Sequence, residues 1–201
     1  MKVQLIDVAK RFNKEWIFKG VNLTLEANKI YGLTGANGSG KTTLLSILSH
    51  FVAPTEGEVN YELGSESDLR QSISVASPAI SLLEEMSVLE AIEFHAHYKP
   101  FRNSLSSKAV IQLLGFEKHQ NKLLRELSTG MKQRVKLVLA ILSQSEILLL
   151  DEPGSNLDAA GFEFWKELLK NNSKDRIVVI ASNDEQDLAI CDQRLEMKQW
   201  K

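Results

Sequence analysis

The 201 residues contain one cysteine, Cys191. An internal disulfide is therefore impossible, and a cysteine-rich metal site cannot form. Neither sign of charge is in excess. Lys and Arg number 24 against 26 Asp and Glu, a formal net charge of −2, so no strong basic field points to nucleic acid. Long apolar runs are missing too. The opening Met1-Lys2-Val3-Gln4-Leu5-Ile6-Asp7 lacks the apolar stretch of a secretory signal. The greasiest later stretch, Val135 to Leu150, is broken by Lys136, Gln144 and Glu146. It also falls short of the roughly 20 apolar residues that span a bilayer. These absences point to a reducing, cytoplasmic setting in which any membrane role needs a separate partner. There is no internal repeat and no low-complexity linker. What remains is an ordinary globular composition, 43% apolar and 25% charged, long enough for one domain with a sizeable core.

Apolar spacing divides the chain. Val3 to Val8 alternates loosely and reads as a strand, as does Val21 to Leu25, which alternates cleanly. Lys29 to Thr34 is a further strand running into a glycine-rich turn, and Thr42 to Ser49 reads as the helix after it. Pro54, Gly57, Val59 and Tyr61 suggest a turn and an edge strand. From Ser87 to Ser145 the period becomes helical. Its expected faces are Leu89, Ile92 and Ala96, then Val110, Leu113 and Leu114, then Val135, Leu139 and Leu142. Ile147 to Leu150 and Ile177 to Ala181 are short and wholly apolar, as strands covered on both faces are, with a helix near Phe162 to Leu169 between them. Short apolar strands alternating with helices predict an α/β fold with a parallel sheet. The helical stretch, residues 79–145, is expected to form a lobe within one domain.

Two motifs carry chemistry. Gly35-Ala36-Asn37-Gly38-Ser39-Gly40-Lys41-Thr42 fits G-x-x-x-x-G-K-[ST] between a strand and a helix. Its glycines let the backbone curl so that successive N–H groups face phosphate oxygens, and the helix N-terminus adds partial positive charge. Lys41 can reach the β- and γ-phosphates, and Thr42 offers a hydroxyl to Mg²⁺. The second motif is Ile147 to Leu150 followed by Asp151 and Glu152. At the C-terminal end of a parallel strand, Asp151 can hold the Mg²⁺ shell and Glu152 can orient and deprotonate a water. An acidic turn capping a core strand would look the same in isolation, but the phosphate loop upstream favours the chemical reading.

Leu127-Ser128-Thr129-Gly130-Met131-Lys132-Gln133-Arg134 resembles the signature motif of ATP-binding-cassette (ABC) proteins, and the resemblance covers essentially the whole chain. It implies a P-loop NTPase fold of the ABC type, mainly parallel in its core sheet, with an N-terminal antiparallel β part and an inserted helical lobe. It also implies ATP and Mg²⁺ as ligands. ATP would be held by Gly35 to Thr43, with Thr43 included, and Mg²⁺ by Thr42 and Asp151. Ser128 and Gly130 would contact the γ-phosphate of ATP held by a second ATPase subunit, although Ser128 also reads as a plain helix N-cap. Ser155-Asn156-Leu157-Asp158 looks like the loop that touches that partner, while Asp158 is equally a candidate cap. Phe12 stands at the place of the aromatic that stacks on adenine, with Trp16 its competitor.

The chain departs from the family at two points. The usual Gln after the strand Ile73 to Ala76 is replaced by Ser77-Pro78, and the usual His after the late strand is replaced by Asn183. Asn183 can hydrogen-bond to a γ-phosphate but cannot carry a proton or a positive charge. It joins Glu152 as a candidate catalytic residue. The implied function is ATP hydrolysis that closes and reopens a dimer beneath an integral membrane permease, with the compact size resembling exporter subunits. The alternative is a nucleotide-gated regulatory subunit with little hydrolysis. A soluble cassette acting on DNA or the ribosome is disfavoured by the charge balance and by the absence of a long coiled-coil insertion, so no nucleic-acid partner is expected.

Overall fold

The structure, a computed structural model, describes residues 1–64 and 68–201. In chain order the elements are β1 (Lys2–Phe12), β2 (Glu15–Glu26), β3 (Lys29–Thr34), α1 (Lys41–Leu48), β4 (Glu56–Glu62), α2 (Leu69–Ser72), β5 (Ile73–Ala76), α3 (Val88–Tyr98), α4 (Ser107–Leu114), α5 (Thr129–Leu142), β6 (Ile147–Asp151), α6 (Ala159–Asn172), β7 (Ile177–Ala181), α7 (Glu185–Leu188) and β8 (Gln193–Glu196). Two compact units result: Met1–Val75 with Ser145–Glu152 and Ser173–Lys201, and Ala76–Gln144 with Pro153–Asn172.

The first unit holds two sheets. In one, β1 lies between β2 and β4, antiparallel to both. The loose alternation of β1 has a cause. Leu5 faces Leu23 and Val8 faces Val21, so three steps on β1 match two on β2. This bulge, where Asp7 takes φ +50°, keeps both Leu5 and Val8 buried despite their odd spacing. The second sheet has the order β5-β6-β7-β3-β8, and β6, β7, β3 and β8 run parallel. Every residue of β6 and β7 is buried, as their unbroken apolar runs require. The core joins both sheets and α1 through Val3, Phe18, Leu33, Leu44, Leu149 and Val179.

Register decides where the chemistry falls. Ala181 pairs with Leu33 on one side and with Asp151 on the other. The C-terminal ends of β3, β7 and β6 are therefore level, and the segments that leave them start side by side.

In the second unit each helix start is fixed by a side chain. Ser87 and Glu90 form a reciprocal capping box on α3, Ser106 caps α4, and Ser128 caps α5. From Leu137 to Leu142 α5 is buried all round. Two of the expected faces turn by one position. On α4 the buried residues are Val110, Ile111 and Leu114, while Leu113 is exposed. On α3 they are Val88, Ala91 and Ile92, with Leu89 and Ala96 only half-buried. Spacing of three and four fixes a stripe but not which flank of it leans inward. Strand β8 has no periodic signal of its own, because Gln193-Arg194-Leu195-Glu196 carries a single apolar residue. Among the described residues no helix is long and apolar enough to cross a membrane.

Candidate functional site

Residues 35–40 leave β3 and curl into the N-terminus of α1. Gly40 takes φ +102°, and a Cβ there would come 2.7 Å from Ile17 Cγ2, so both its backbone and its neighbour demand glycine. Gly35, at φ +151°, would press a Cβ to 2.7 Å from Ser39 Oγ. Beneath the loop lies Met197, whose atoms would crowd a Cβ at either glycine.

Lys41 is only 6% exposed. Its ammonium donates to the Gly35 carbonyl at 2.6 Å and to Asn183 Oδ1 at 2.6 Å, with Ala36 O at 3.5 Å. All three acceptors are neutral, and the nearest carboxylate oxygen, Glu152 Oε1, stands 4.0 Å away. A nearly buried positive charge held mainly by neutral dipoles favours the arrival of an anion. The Ser39 hydroxyl is buried without a hydrogen-bond partner among the described residues, a further donor the loop does not use itself. Asn183 bridges the site, because its amide nitrogen donates to Asn37 Oδ1 at 2.7 Å while its oxygen holds Lys41.

Thr42 Oγ1 donates to Asp151 Oδ2 at 2.9 Å, and Asp151 is 4% exposed. This hydroxyl and carboxylate fit Mg²⁺. Both are hard oxygen donors, and the described residues hold no cluster of three or more His, Cys, Asp or Glu that would form a cage by itself. Phosphate oxygens and waters would supply the remaining ligands. Glu152 follows at φ +48°, its N–H bonded to Ala181 O at 2.8 Å. Its Oε2 accepts from Ser182 Oγ at 3.0 Å.

Lys41, Thr42, Asp151, Glu152 and Asn183 are thus brought together. Ala36, Asn37 and Gly38 are exposed along the loop, and Thr43, the third residue of α1, is half-buried. Phe12 stands 48% exposed at the end of the β1–β2 hairpin, opposite Glu15, with the Lys10 ammonium 5.0 Å from its ring centre. Trp16 is half-buried and attended by two cations, Arg11 at 4.9 Å and Lys19 at 4.3 Å. Its competitor Phe12 therefore has the more open ring. Ser77 serves a local turn, accepting from Ala79 N through its hydroxyl and from Ile80 N through its carbonyl.

Ser128 and Gly130 belong to the second unit. The Ser128 hydroxyl accepts from Met131 N at 3.2 Å, as an N-cap does. A Cβ at Gly130 would meet the Asn156 carbonyl oxygen at 2.7 Å, so the glycine permits a close backbone approach. Asp158 Oδ1 accepts from Gly161 N at 2.8 Å, the capping alternative. Ser182, Asp187 and Met197 carry no motif and join this region only through the fold. Ser182 and Asp187 flank Asn183 within five positions, so a buried polar pair beside an apolar strand end was the available signal.

A family model described as "ABC transporter" matches residues 18–155. An uncharacterised ABC transporter ATP-binding protein of Bacillus subtilis, YybJ, is 30% identical over 97% of this chain and 92% of its own length. A second one from Bacillus subtilis, YcbN, is 28% identical over 86% of this chain, which spans only 58% of that longer protein. A dimeric structure of a bacterial ABC transporter cassette, MJ0796, superposes with a TM-score of 0.80 at 24% identity, covering 97% of this chain and 94% of that one, a likeness of fold. With the motif residues assembled as above, the chain belongs to the ABC transporter family, as one of its ATP-binding subunits.

Proposed function

We propose that this subunit hydrolyses ATP at the strand ends of its first unit and uses the cycle to drive a membrane permease. The carrying observation is the convergence of Lys41, Thr42, Asp151 and Glu152 on one edge of the parallel sheet. ATP is the substrate. The loop amides of Gly35 to Thr43, the Ser39 hydroxyl and Lys41 bind its phosphates, and Phe12 stacks on its adenine. Thr42 and Asp151 would hold Mg²⁺, which would supply charge neutralisation on the phosphates. Glu152 orients a water and accepts its proton, and Asn183 supplies an amide hydrogen bond toward the γ-phosphate.

A second ATPase subunit completes the site through its own Ser128 and Gly130, where a capped helix start offers N–H groups to the γ-phosphate. The dimeric form reported for the MJ0796 cassette supports that pairing. We assign the permease contact to the helical lobe, residues 79–145, the location to the cytoplasmic face of the membrane, and the direction to export. Vesicle transport assays with the permease read the direction. An uncharged Asn183 and the missing Gln at Ser77-Pro78 favour slow turnover, and in the limit a nucleotide-gated subunit.

The test is Glu152→Gln. This variant should bind ATP with wild-type affinity, lose turnover by about 10²-fold or more, and accumulate as an ATP-bound dimer by light scattering. Wild-type turnover in the variant would rule out Glu152 as the base.

A further inference from the structure

Behind Glu152 lies a buried polar cluster that the reading above does not use. Ser182 is fully buried, and Asp187 is 1% exposed. The single hydroxyl of Ser182 stands 2.7 Å from Asp187 Oδ2 and 3.0 Å from Glu152 Oε2. Its oxygen also accepts the Asp184 N–H at 3.0 Å. Two carboxylates therefore face one hydroxyl that has one hydrogen to give.

We infer that Ser182 is a positioning residue for Glu152: its oxygen is pinned by the Asp184 N–H, and its one hydrogen, shared with Asp187 Oδ2, fixes the carboxylate of Glu152 on the edge of the site. This rests on the assignment of Glu152 as the group that orients the attacking water.

The local structure explains why such a brace is placed here. Ser182 leaves β7 directly after Ala181, which pairs with Asp151. Its hydroxyl therefore starts level with the turn that carries Glu152. Asp184 caps α7, accepting from Gln186 N, and α7 brings Asp187 back beneath Ser182. Glu152 needs the support because its backbone sits at φ +48°, unusual for a side chain of its length, and its other oxygen has only a 4.0 Å approach to Lys41. Without the hydroxyl, Oε2 has no fixed donor and the carboxylate can leave the orientation that a water must meet. The hydrogen bonds of the Ser182 hydroxyl run to Glu152, Asp187 and Asp184 and not to the phosphate loop. Loss of that hydroxyl should therefore fall on the chemical step and spare nucleotide binding.

The experiment compares wild type, Ser182→Ala, Asp187→Asn, the double variant and Glu152→Gln in one ATPase assay, with ATP affinity measured by equilibrium titration. Ser182→Ala should lower kcat about 10-fold or more with ATP affinity unchanged within about twofold. Asp187→Asn should change kcat in the wild-type background and change it much less in the Ser182→Ala background, because Asp187 and Glu152 meet at that one hydroxyl. Unchanged kcat in Ser182→Ala, a matching loss of ATP affinity, or additive effects of the two substitutions would overturn the inference. Ser182→Ala removes one oxygen atom and serves as the deciding variant if Asp187→Asn does not fold. Glu152→Gln separates the two levels. If it retains turnover, the base assignment fails. If it is inactive while Ser182→Ala is fully active, only the brace fails.

Discussion

Asn183 links Lys41 to Asn37 through one amide, each end in the role its partner dictates. A phosphate arriving at Lys41 would compete with the Asn183 oxygen for the ammonium, and the Asn183 amide nitrogen, which donates to Asn37, is the donor that could turn toward it. Because Asn does not titrate, turnover should lack the limb that a histidine there would bring. Asn183→His should add a pH-dependent limb near 6.5 to the ATPase profile, shifted by whatever faces the ring. An unaltered profile shape would mean that this position does not sense the reacting phosphate. At this scale Lys41, Thr42, Asp151 and Glu152 were all legible in the sequence, since motif spacing reports them directly. Ser182 and Asp187 were not, because their side chains meet only through the turn from β7 into α7.

Helix termini and packing faces set the next level. Ser128 caps α5, and removing such a cap costs about 1 kcal/mol, so Ser128→Ala should lower unfolding free energy by that amount in urea melts. Gly130→Ala should cost more, by roughly 1–3 kcal/mol, since its methyl would run into the Asn156 carbonyl. Equal stability in the two variants would contradict the close approach.

On α3 the half-buried His95 stacks on Phe101 at 5.7 Å and lies 2.7 Å from Ser143 Oγ. Ser143 Oγ donates its hydrogen to Leu139 O, so His95 Nε2 is the donor in that pair. Burial pushes His95 down to about 4, with the Lys99 charge adding to the effect. The folded value lies below the unfolded one, so as pH falls the unfolded chain takes up the proton first. Stability from this group is complete above about 6.5 and is lost toward about 4. The loss should be about 1–3 kcal/mol, visible as a pH-dependent urea midpoint that His95→Gln flattens. The helical period located α3, α4 and α5, but the exposed Leu113 and the buried Ile111 show that spacing alone leaves the flank of a stripe open.

For the whole molecule, the strand order β5-β6-β7-β3-β8 brings segments more than 100 residues apart to one sheet edge. Alternation of short apolar strands with helices announced that parallel architecture. The order itself, and β8 with its lone Leu195, came only from pairing. A ligand that binds only the folded state stabilises it, by about 2.7 kcal/mol at 100 times its dissociation constant. For a chain of this size Mg²⁺–ATP should then raise Tm by roughly 5–10 °C. Absence of any shift at saturating nucleotide would argue against a folded binding site. The central claim is that the Lys41 cradle grips a triphosphate, and calorimetric titration of Lys41→Ala with Mg²⁺–ATP tests it most directly. Affinity should fall by about 10²-fold or more, given a charge-assisted contact made from an almost buried ammonium. Wild-type affinity in that variant would contradict the account.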